Sequence, residues 1–199
     1  MASEIVIPSA QTARMSHEQT TAAHPAPRFC PYCAAPFETR TLPADPQPRL
    51  VCPSCRYVHY LDPKLAVGTI IHPVDDPGTI VLVRRAIEPG RGLWVFPGGY
   101  VDRGEPLVDA ALREAREECG IGITLDALVN VYSYAGRVPV IVVYAATWHD
   151  GELTIDDESL EAGLFTRDTV PWSELAFRST REALEAYFAG RLHQAAVGR

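Results

Sequence analysis

The stretch GGYVDRGEPLVDAALREAREECGI, residues 98–121, joins a glycine-rich segment to a helical pattern that is dense in carboxylates. On a helical wheel at about 100° per residue, Glu114, Glu117 and Glu118 fall on one arc. Three carboxylates on one face would repel one another unless a cation neutralised them. Mg²⁺ or Mn²⁺ prefers oxygen ligands and keeps part of its shell for water and phosphate oxygens. The stretch therefore indicates a divalent-metal site on a helix.

A neighbouring arc of the same helix is apolar and is predicted to face the core. Cys119 lies on this arc and is interpreted as a small core residue rather than a metal ligand. The alternative interpretation of the acidic arc is a solvated helix face, with Arg113 and Arg116 as incidental partners. The apolar arc comprises Leu107, Val108, Ala111, Leu112, Ala115 and Cys119.

Eight residues of the stretch stand at a spacing that resembles the Nudix box, G-x5-E-x7-R-E-U-x-E-E-x-G-U, where U is a bulky aliphatic residue. They are Gly99, Glu105, Arg113, Glu114, Glu117, Glu118, Gly120 and Ile121. Ala115 departs from the pattern because it occupies the first U position. This departure concerns the packing of the helix and leaves every charged position intact. The chain thus resembles the Nudix hydrolases.

The resemblance implies an α+β or α/β fold, the Nudix α/β/α sandwich with a mixed sheet. It also implies an enzyme that hydrolyses a nucleoside diphosphate linked to a second moiety, with metals activating water and neutralising the phosphates. By the same analogy, Glu114, Glu117 and Glu118 bind the divalent metals, and the backbone carbonyl of Gly98 adds a ligand. Arg113 and Glu105 would orient the loop and the helix.

A further acid is expected in the segment DDESLEAGLF, residues 156–165. Related Nudix enzymes carry an additional metal-binding or proton-accepting residue just before a strand at this point. The resemblance favours Glu158 as that catalytic and metal-binding residue, with Glu161 as second choice. Ordinary loop acids are the alternative interpretation of both.

Composition, the cysteine pattern and the Nudix resemblance together divide the chain into four segments. Residues 1–28 are rich in Ala, Thr, Ser, Gln and Pro and are predicted to be a disordered leader, within which Met15 is an alternative start. Residues 29–62 are predicted to form a zinc ribbon, residues 63–190 a Nudix hydrolase domain, and residues 191–199 a C-terminal tail.

Periodicity predicts the elements of the larger domain. The β-branched runs LAVGTIIHPV and GTIVLVRRA are separated by DDPG, which indicates a hairpin or a loop joining neighbouring strands. A helix is predicted from about Pro106 to Cys119, with Gly120 as C-cap. Strands follow at ALVNVYSYAG, VPVIVVYAATWH and AGLFTR, and a last helix begins near Ser179, where STRE fits a capping box.

Four of the five cysteines form the pattern C-x2-C-x18-C-x2-C. The segment that contains them is too short for its own hydrophobic core, so structural Zn²⁺ is predicted to hold it together. Disulfides or redox-active thiols are the alternative. Ala34 and Arg56 stand where such knuckles often have glycine, and His59 is interpreted as a loop residue. The four ligands would be Cys30, Cys33, Cys52 and Cys55.

The net charge and the lengths of the apolar runs restrict the classes of binding partner. With 25 acidic and 18 basic residues, the net charge is -7, so no stable nucleic-acid partner or anionic membrane surface is expected. No apolar run is long enough to span a membrane and no secretory signal is present, which makes a cytoplasmic protein the default. A homodimer is possible by family analogy alone.

The substrate is predicted from a wider resemblance, which runs from about residue 30 to residue 188. CPSCRYVHYLDPKLAVGTII, RRAIEPGRGLWVFPGGYVDRGE, ESLEAGLF and PWSELAFRSTREALEAYF resemble the Nudix branch that includes the plant chloroplast FAD pyrophosphatase and bacterial enzymes assigned to ADP-ribose. This implies cleavage of FAD or ADP-ribose, releasing AMP. NADH pyrophosphatases carry SQPWPFPxS after the box, and that signature is absent here. NADH hydrolysis and NAD-cap removal from RNA remain alternatives, as does a Nudix-like ADP-ribose sensor without turnover.

Candidate substrate contacts are cations and rings near the box. Arg84 and Arg85 could bind phosphate, with surface arginines at a strand edge as the alternative. Tyr100 is the first choice for stacking, although each candidate ring is more often a core residue. The other rings considered are Tyr132, Tyr134, Phe165 and Phe177.

Overall fold

The computed structural model describes residues 26–43 and 45–193. Most of the predicted leader and residues 194–199 of the predicted tail therefore lie outside the described residues, as does Met15. The first described segment is a small antiparallel sheet in the order β1 (Glu38–Leu42), β2 (Asp45–Val51) and β3 (Val58–His59). Among its described residues only Cys30, Val51 and Cys52 are buried, so this segment has almost no hydrophobic core.

Two three-stranded sheets form the larger domain. The first has the order β4 (Lys64–Pro73), β8 (Pro139–Gly151) and β7 (Ile121–Tyr132), with β4 parallel to β8 and β7 antiparallel to it. The second has the order β6 (Trp94–Val95), β5 (Thr79–Arg85) and β9 (Ser159–Thr166). Helix α1 (Leu107–Cys119) packs on β4 and β7, and helix α2 (Arg178–Phe188) packs on β7 and β8. This mixed α+β architecture confirms the predicted fold class.

Helix α1 ends at the predicted residue, but its buried face differs in part from the predicted one. Gly120 closes it with a φ of 70°, as expected of a glycine C-cap. Leu112 is 37% exposed, so its assignment to the core was wrong, whereas Ala110 is fully buried. Ala115 is also fully buried. The buried face of α1 is lined by small side chains that let the helix lie close to the sheet, and this accommodates alanine where the box pattern has a larger residue.

Of the two alternatives for the DDPG segment, the β4–β5 hairpin does not form, because the two strands lie in different sheets and a loop connects them. The edge of β4 is occupied instead by the glycine-rich loop. The amides of Val67 and Thr69 donate to the carbonyls of Gly99 and Pro97, and Val101 donates to Leu65. The box loop thus takes the hydrogen-bonding edge that a hairpin partner would have used.

The predicted capping box of the last helix is also absent. Helix α2 begins at Arg178 with Phe177 as N-cap, and no side chain caps it. Glu182, the last residue of STRE, accepts hydrogen bonds from Tyr134 and Arg178 instead. Both bonds come from side chains, so this carboxylate makes no capping bond to a backbone amide of the first turn.

Beyond α2 the chain returns to the first sheet, where His193 and Leu128 exchange two backbone hydrogen bonds. Across the described ranges, no helix has both the length and the apolar character needed to cross a membrane.

Candidate active site and zinc centre

The acidic face of α1 lies directly against the glycine-rich loop. The amide of Gly98 donates to Oε2 of Glu118 at 2.8 Å. A Cβ on Gly99 would lie 2.5 Å from both carboxylate oxygens of Glu114, and a Cβ on Gly98 would collide with the Val67 carbonyl. Glycine is therefore required at both positions so that the loop backbone can lie between β4 and the carboxylates.

Burial makes the charge on Glu118 unfavourable in the absence of a cation. It raises the pKa of Glu118 from its ordinary value to about 8, although the Gly98 amide acts in the opposite direction. Burial also raises the pKa of Glu114, against the effect of Arg113. The donor set fits a hard divalent cation, because a bound cation would stabilise the ionised form of both partly buried carboxylates.

Arg113 holds the loop and the helix together. Its Nε and Nη2 donate to the two carboxylate oxygens of Glu105 at 2.8 and 2.9 Å, and Nη2 also donates to the Tyr100 carbonyl at 3.2 Å. Its Nη1 donates to Glu114 at 2.8 Å and to Glu117 at 3.0 Å. The Arg113 guanidinium lowers the pKa of Glu105 to about 2. The orienting role expected of Arg113 and Glu105 therefore has a direct geometric basis.

Arg116, by contrast, points away from the acidic face. It forms an ion pair with Asp150 at 3.5 Å between exposed side chains. Of the two helix arginines, only Arg113 bonds to this face. It donates hydrogen bonds to Glu114 and Glu117 but not to Glu118. This leaves an excess of negative charge on the face, which is unlike a helix surface neutralised by its own arginines.

The two candidate acids of the second segment occupy different surroundings. The carbonyl of Glu158 accepts a 2.7 Å hydrogen bond from Ala86, the residue after Arg85. Burial lowers the pKa of Arg85, while the charges of Glu118 and Glu158 act against it, so these groups lie near one another. Glu161 instead pairs with Arg84 at 3.3 Å. Glu158 thus adjoins the Arg85 segment, and both it and Glu118 affect the pKa of Arg85, whereas Glu161 is engaged by Arg84.

Asp156 is a neighbour of the site that sequence reasoning did not single out. Its charge contributes to raising the pKa of Glu118, after burial and Glu114. The only signal in the sequence was its place in the acidic run of residues 156–158, which gives no reason to prefer one acid over another.

The candidate substrate contacts separate into two groups. In the first group, the rings contribute to packing within the protein. Phe165 packs edge-on against buried Trp94, Tyr132 is buried, and Tyr134 donates a hydrogen bond to Glu182. Arg85 and Phe177 form a cation–π pair at 5.3 Å, with the Arg85 Nε bonded to the Pro89 carbonyl at 2.8 Å. Tyr100 is exposed beside the loop. Arg84 is engaged by the Gly92 carbonyl as well as by Glu161.

The four paired cysteines meet in the first segment. Their sulfur atoms all lie within 4.8 Å of one another. A tetrahedral zinc at about 2.3 Å from each sulfur separates the sulfurs by ~3.8 Å, so the cluster fits Zn²⁺. Ala34 and Arg56 have φ values of 57° and 64°, the conformation for which knuckles often use glycine. The backbone amide of Cys55 lowers the pKa of Cys52, whereas burial and the neighbouring thiols raise the pKa of Cys55, as expected of sulfur atoms that share one site.

Glu118 predicts a dependence of stability on pH. Its pKa lies above its ordinary value of 4.5, so between pH 4.5 and 8 the folded state holds a proton that the unfolded state has released. Through this group, metal-free protein should lose stability as pH rises across that window. Added Mg²⁺ should therefore raise the melting temperature more at pH 8.5 than at pH 6. Differential scanning fluorimetry with EDTA or Mg²⁺ would measure this, and an equal Mg²⁺ effect at both pH values would contradict it.

Known proteins resemble both parts of the chain. The NUDIX domain family matches residues 62–187, and the Nudix N-terminal zinc-ribbon family matches residues 28–61. An ADP-ribose pyrophosphatase from Methanocaldococcus jannaschii is 34% identical over 126 residues, covering 61% of this chain and 72% of that protein. An NAD-capped RNA hydrolase from Stutzerimonas stutzeri is 27% identical over 83% of this chain, which spans only 57% of that enzyme.

A solved structure agrees with these similarities. The NUDIX hydrolase from Nitrosomonas europaea superimposes with a TM-score of 0.77 at 34% identity, over 82% of this chain and 92% of that one. The loop–helix geometry is consistent with the matched NUDIX domain, and the cysteine cluster is consistent with the matched zinc ribbon. The chain belongs to the Nudix hydrolase family and combines a Nudix domain with the zinc ribbon that precedes it in part of that family.

Proposed function

We propose that this Nudix hydrolase cleaves the pyrophosphate bond of a nucleoside diphosphate linked to a second moiety, with FAD or ADP-ribose as substrate and AMP as one product. The observation that carries the proposal is the acidic face of α1, on which the partly buried Glu118 and Glu114 lie against the Gly98–Gly99 backbone. Similarity to a relative named ADP-ribose pyrophosphatase supports ADP-ribose. The proposal of FAD as substrate rests on the sequence resemblance alone.

In this proposal Glu114, Glu117, Glu118 and the Gly98 carbonyl hold Mg²⁺ or Mn²⁺, with Glu158 as a further ligand or proton acceptor. When bound, the metal would activate water and neutralise the phosphate oxygens. Arg113 fixes the distance between loop and helix, so that carboxylates and backbone face the same point. Arg85, half-buried beside Glu118, supplies a positive charge for a phosphate oxygen. Zinc in the cysteine cluster has a structural role only.

Removal of an NAD cap from RNA is the second candidate. It is favoured by the relatives named NAD-capped RNA hydrolases, whose similarity extends over both parts of this chain. The chain spans only about half the length of those enzymes, and SQPWPFPxS is absent from it. We therefore place this activity second.

We also propose a ribbon at 29–62 and a hydrolase domain at 63–190. Homodimer formation and a cytoplasmic location stay predictions.

The test is a substrate panel. Purified protein would be incubated with Mg²⁺ and FAD, ADP-ribose, NADH, NAD⁺, CoA or NAD-capped RNA, and the products separated by chromatography. Preferential release of AMP from FAD or ADP-ribose is expected. Preference for NADH or capped RNA would replace the proposal by the second candidate. Binding of ADP-ribose without any turnover would indicate a sensor.

Glu158 and Glu161 allow a matched comparison of the two candidate acids. Glu158→Gln should lower kcat by about tenfold or more, since positioned acid–base groups contribute roughly 10²–10⁴-fold and a supporting ligand less. Glu161→Gln should change kcat by less than about twofold, because its partner is the exposed side chain of Arg84. Steady-state kinetics on both variants would measure this. A larger effect of Glu161→Gln would reverse the assignment.

A further inference from the structure

Three neighbouring strands bring one polar side chain each to the same point of the first sheet. These side chains are His72 of β4, Thr147 of β8 and Asp126 of β7. Thr147 Oγ1 donates to Asp126 Oδ2 at 2.8 Å, and His72 Nε2 lies 3.3 Å from Thr147 Oγ1 and 3.7 Å from Asp126 Oδ2. Within the described residues, these side chains form hydrogen bonds and ion pairs only with one another and with the Pro73 carbonyl. The His72–Asp126–Thr147 cluster is thus not bonded to the acidic face of α1.

A β-bulge turns Asp126 towards this point. The register of β7 against β8 shifts between Leu125 and Ala127, so Asp126 is the extra residue of β7. A bulge redirects a side chain and disrupts the regular hydrogen-bond ladder, and aspartate is itself unfavourable within a strand. His72 needs no such irregularity, because it is the direct partner of Thr147 in the pairing of β4 with β8. The chain therefore departs from regular sheet structure where it places a carboxylate beside these two residues.

The cluster has fewer hydrogen atoms than its acceptors require. The Pro73 carbonyl can only accept a hydrogen bond, so Nδ1 of His72, which lies 3.0 Å from it, carries the proton of the neutral ring. Nε2 then presents a lone pair. The single hydroxyl proton of Thr147 is donated to Asp126. Lone pairs of Nε2, of the Thr147 oxygen and of the Asp126 carboxylate therefore face one another, and a cation between them would relieve their repulsion.

The distances between these three atoms suit a single metal ion. Nitrogen and oxygen ligands at about 2.1 Å from a divalent transition metal lie about 3.0 Å apart at right angles and about 3.4 Å apart at the tetrahedral angle. The observed separations are 2.8, 3.3 and 3.7 Å. A metal-bound histidine usually donates its other ring N–H to a backbone carbonyl or a carboxylate, as His72 does to Pro73. The cluster thus has both the ligand atoms and the orienting hydrogen bond of a metal site.

We propose that His72, Asp126 and Thr147 bind a divalent transition-metal ion of the Zn²⁺ or Co²⁺ type, at a site separate from the acidic face of α1 and from the cysteine cluster. An imidazole ligand favours such ions over Mg²⁺, which prefers oxygen ligands. The side chains of His72 and Asp126 are 17% and 39% exposed, so water can supply the remaining ligands. The bound ion joins β4, β8 and β7 through their side chains and stabilises the sheet. The inference is independent of the proposed function, since none of these ligands belongs to the hydrolytic site.

The test is a titration of untagged, zinc-loaded protein with Co²⁺, followed by isothermal titration calorimetry and by NMR of the backbone amides. Excess Mg²⁺ is present throughout and competes for the acidic face of α1. Wild-type protein should bind one equivalent of Co²⁺ more than His72→Gln. Asp126→Asn should weaken this binding at least tenfold, since loss of even a supporting residue costs about 10–100-fold in metal affinity. In the wild type, paramagnetic Co²⁺ should broaden the amide signals of residues 71–73, 125–127 and 146–148 first.

His149→Gln is the matched control, because His149 is an exposed histidine of β8 two residues after Thr147. It should bind as much Co²⁺ as the wild type. The proposal is overturned if His72→Gln also binds that amount, or if the broadening in wild-type protein is centred elsewhere in the chain. The wild-type spectra decide the question even where a variant fails to fold. A His72 ring that is doubly protonated at neutral pH and binds no Co²⁺ would likewise overturn it, since a second proton would then be the cation.

Discussion

Replacing Glu118 by Gln is expected to reduce turnover by more than about 100-fold while the fold stays intact. Loss of a group that merely supports a metal ligand typically costs 10–100-fold, so loss of a ligand charge should cost at least the upper end of that range. Gln can still accept the hydrogen bond from the Gly98 amide, and it removes a carboxylate whose ionisation is opposed by burial. The effect should therefore fall on metal binding and catalysis rather than on folding.

Two measurements separate these contributions. Steady-state kinetics with the substrate found in the panel should show the loss mainly in kcat. Thermal denaturation should show that EDTA-treated Glu118→Gln is as stable at pH 8 as the EDTA-treated wild type, or more stable, and that Mg²⁺ no longer stabilises it fully. Glu185→Gln, on the exposed side of α2, is the control for loss of a surface charge. Near-normal turnover in Glu118→Gln would show that the acidic face is not the metal site.

The arrangement of the box residues was predictable because all of them lie within 24 consecutive positions. A helix of known pitch places Glu114 and Glu118 one turn apart, and a glycine pair before it allows close backbone approach whatever the rest of the chain does. The end of α1 at Gly120 follows from the same local rules. The paired cysteines are equally local, since each pair forms its own turn, with Ala34 and Arg56 in the positive-φ position.

Long-range pairing could not be predicted in this way. The DDPG turn between β4 and β5 is compatible with a hairpin. The hairpin is excluded because residues 97–101 bond to the edge of β4, while β6 and β9 occupy both edges of β5. The choice between Glu158 and Glu161 likewise depends on how the start of β9 aligns with Arg84 and Arg85 of β5. A shift of one residue in strand register exchanges the two faces, and no single sequence fixes that register.

Removal of zinc is expected to unfold the first segment and to leave the Nudix domain folded. Among the described residues between 26 and 61, only Cys30, Val51 and Cys52 are buried, so hydrophobic burial contributes little there. Zinc binding contributes about 10–16 kcal/mol in small zinc-binding peptides, far more than so few buried side chains can. Cys52→Ala, which removes the most buried ligand, should therefore abolish stoichiometric zinc and the protection of residues 30–59 against amide hydrogen exchange.

The control for this substitution is Cys119→Ala. Cys119 is as fully buried as Cys52, but it packs in the Nudix core against neighbours such as Ala115. Its replacement should leave one zinc per chain and protection of the ribbon unchanged, and should lower the stability of the Nudix domain by a cavity cost of about 1 kcal/mol. Metal analysis and hydrogen-exchange mass spectrometry would distinguish the two variants. A Cys52→Ala protein that still holds one tightly bound zinc would exclude the four-thiolate site, whereas unchanged protection without zinc would mean that β1–β3 fold on backbone pairing alone.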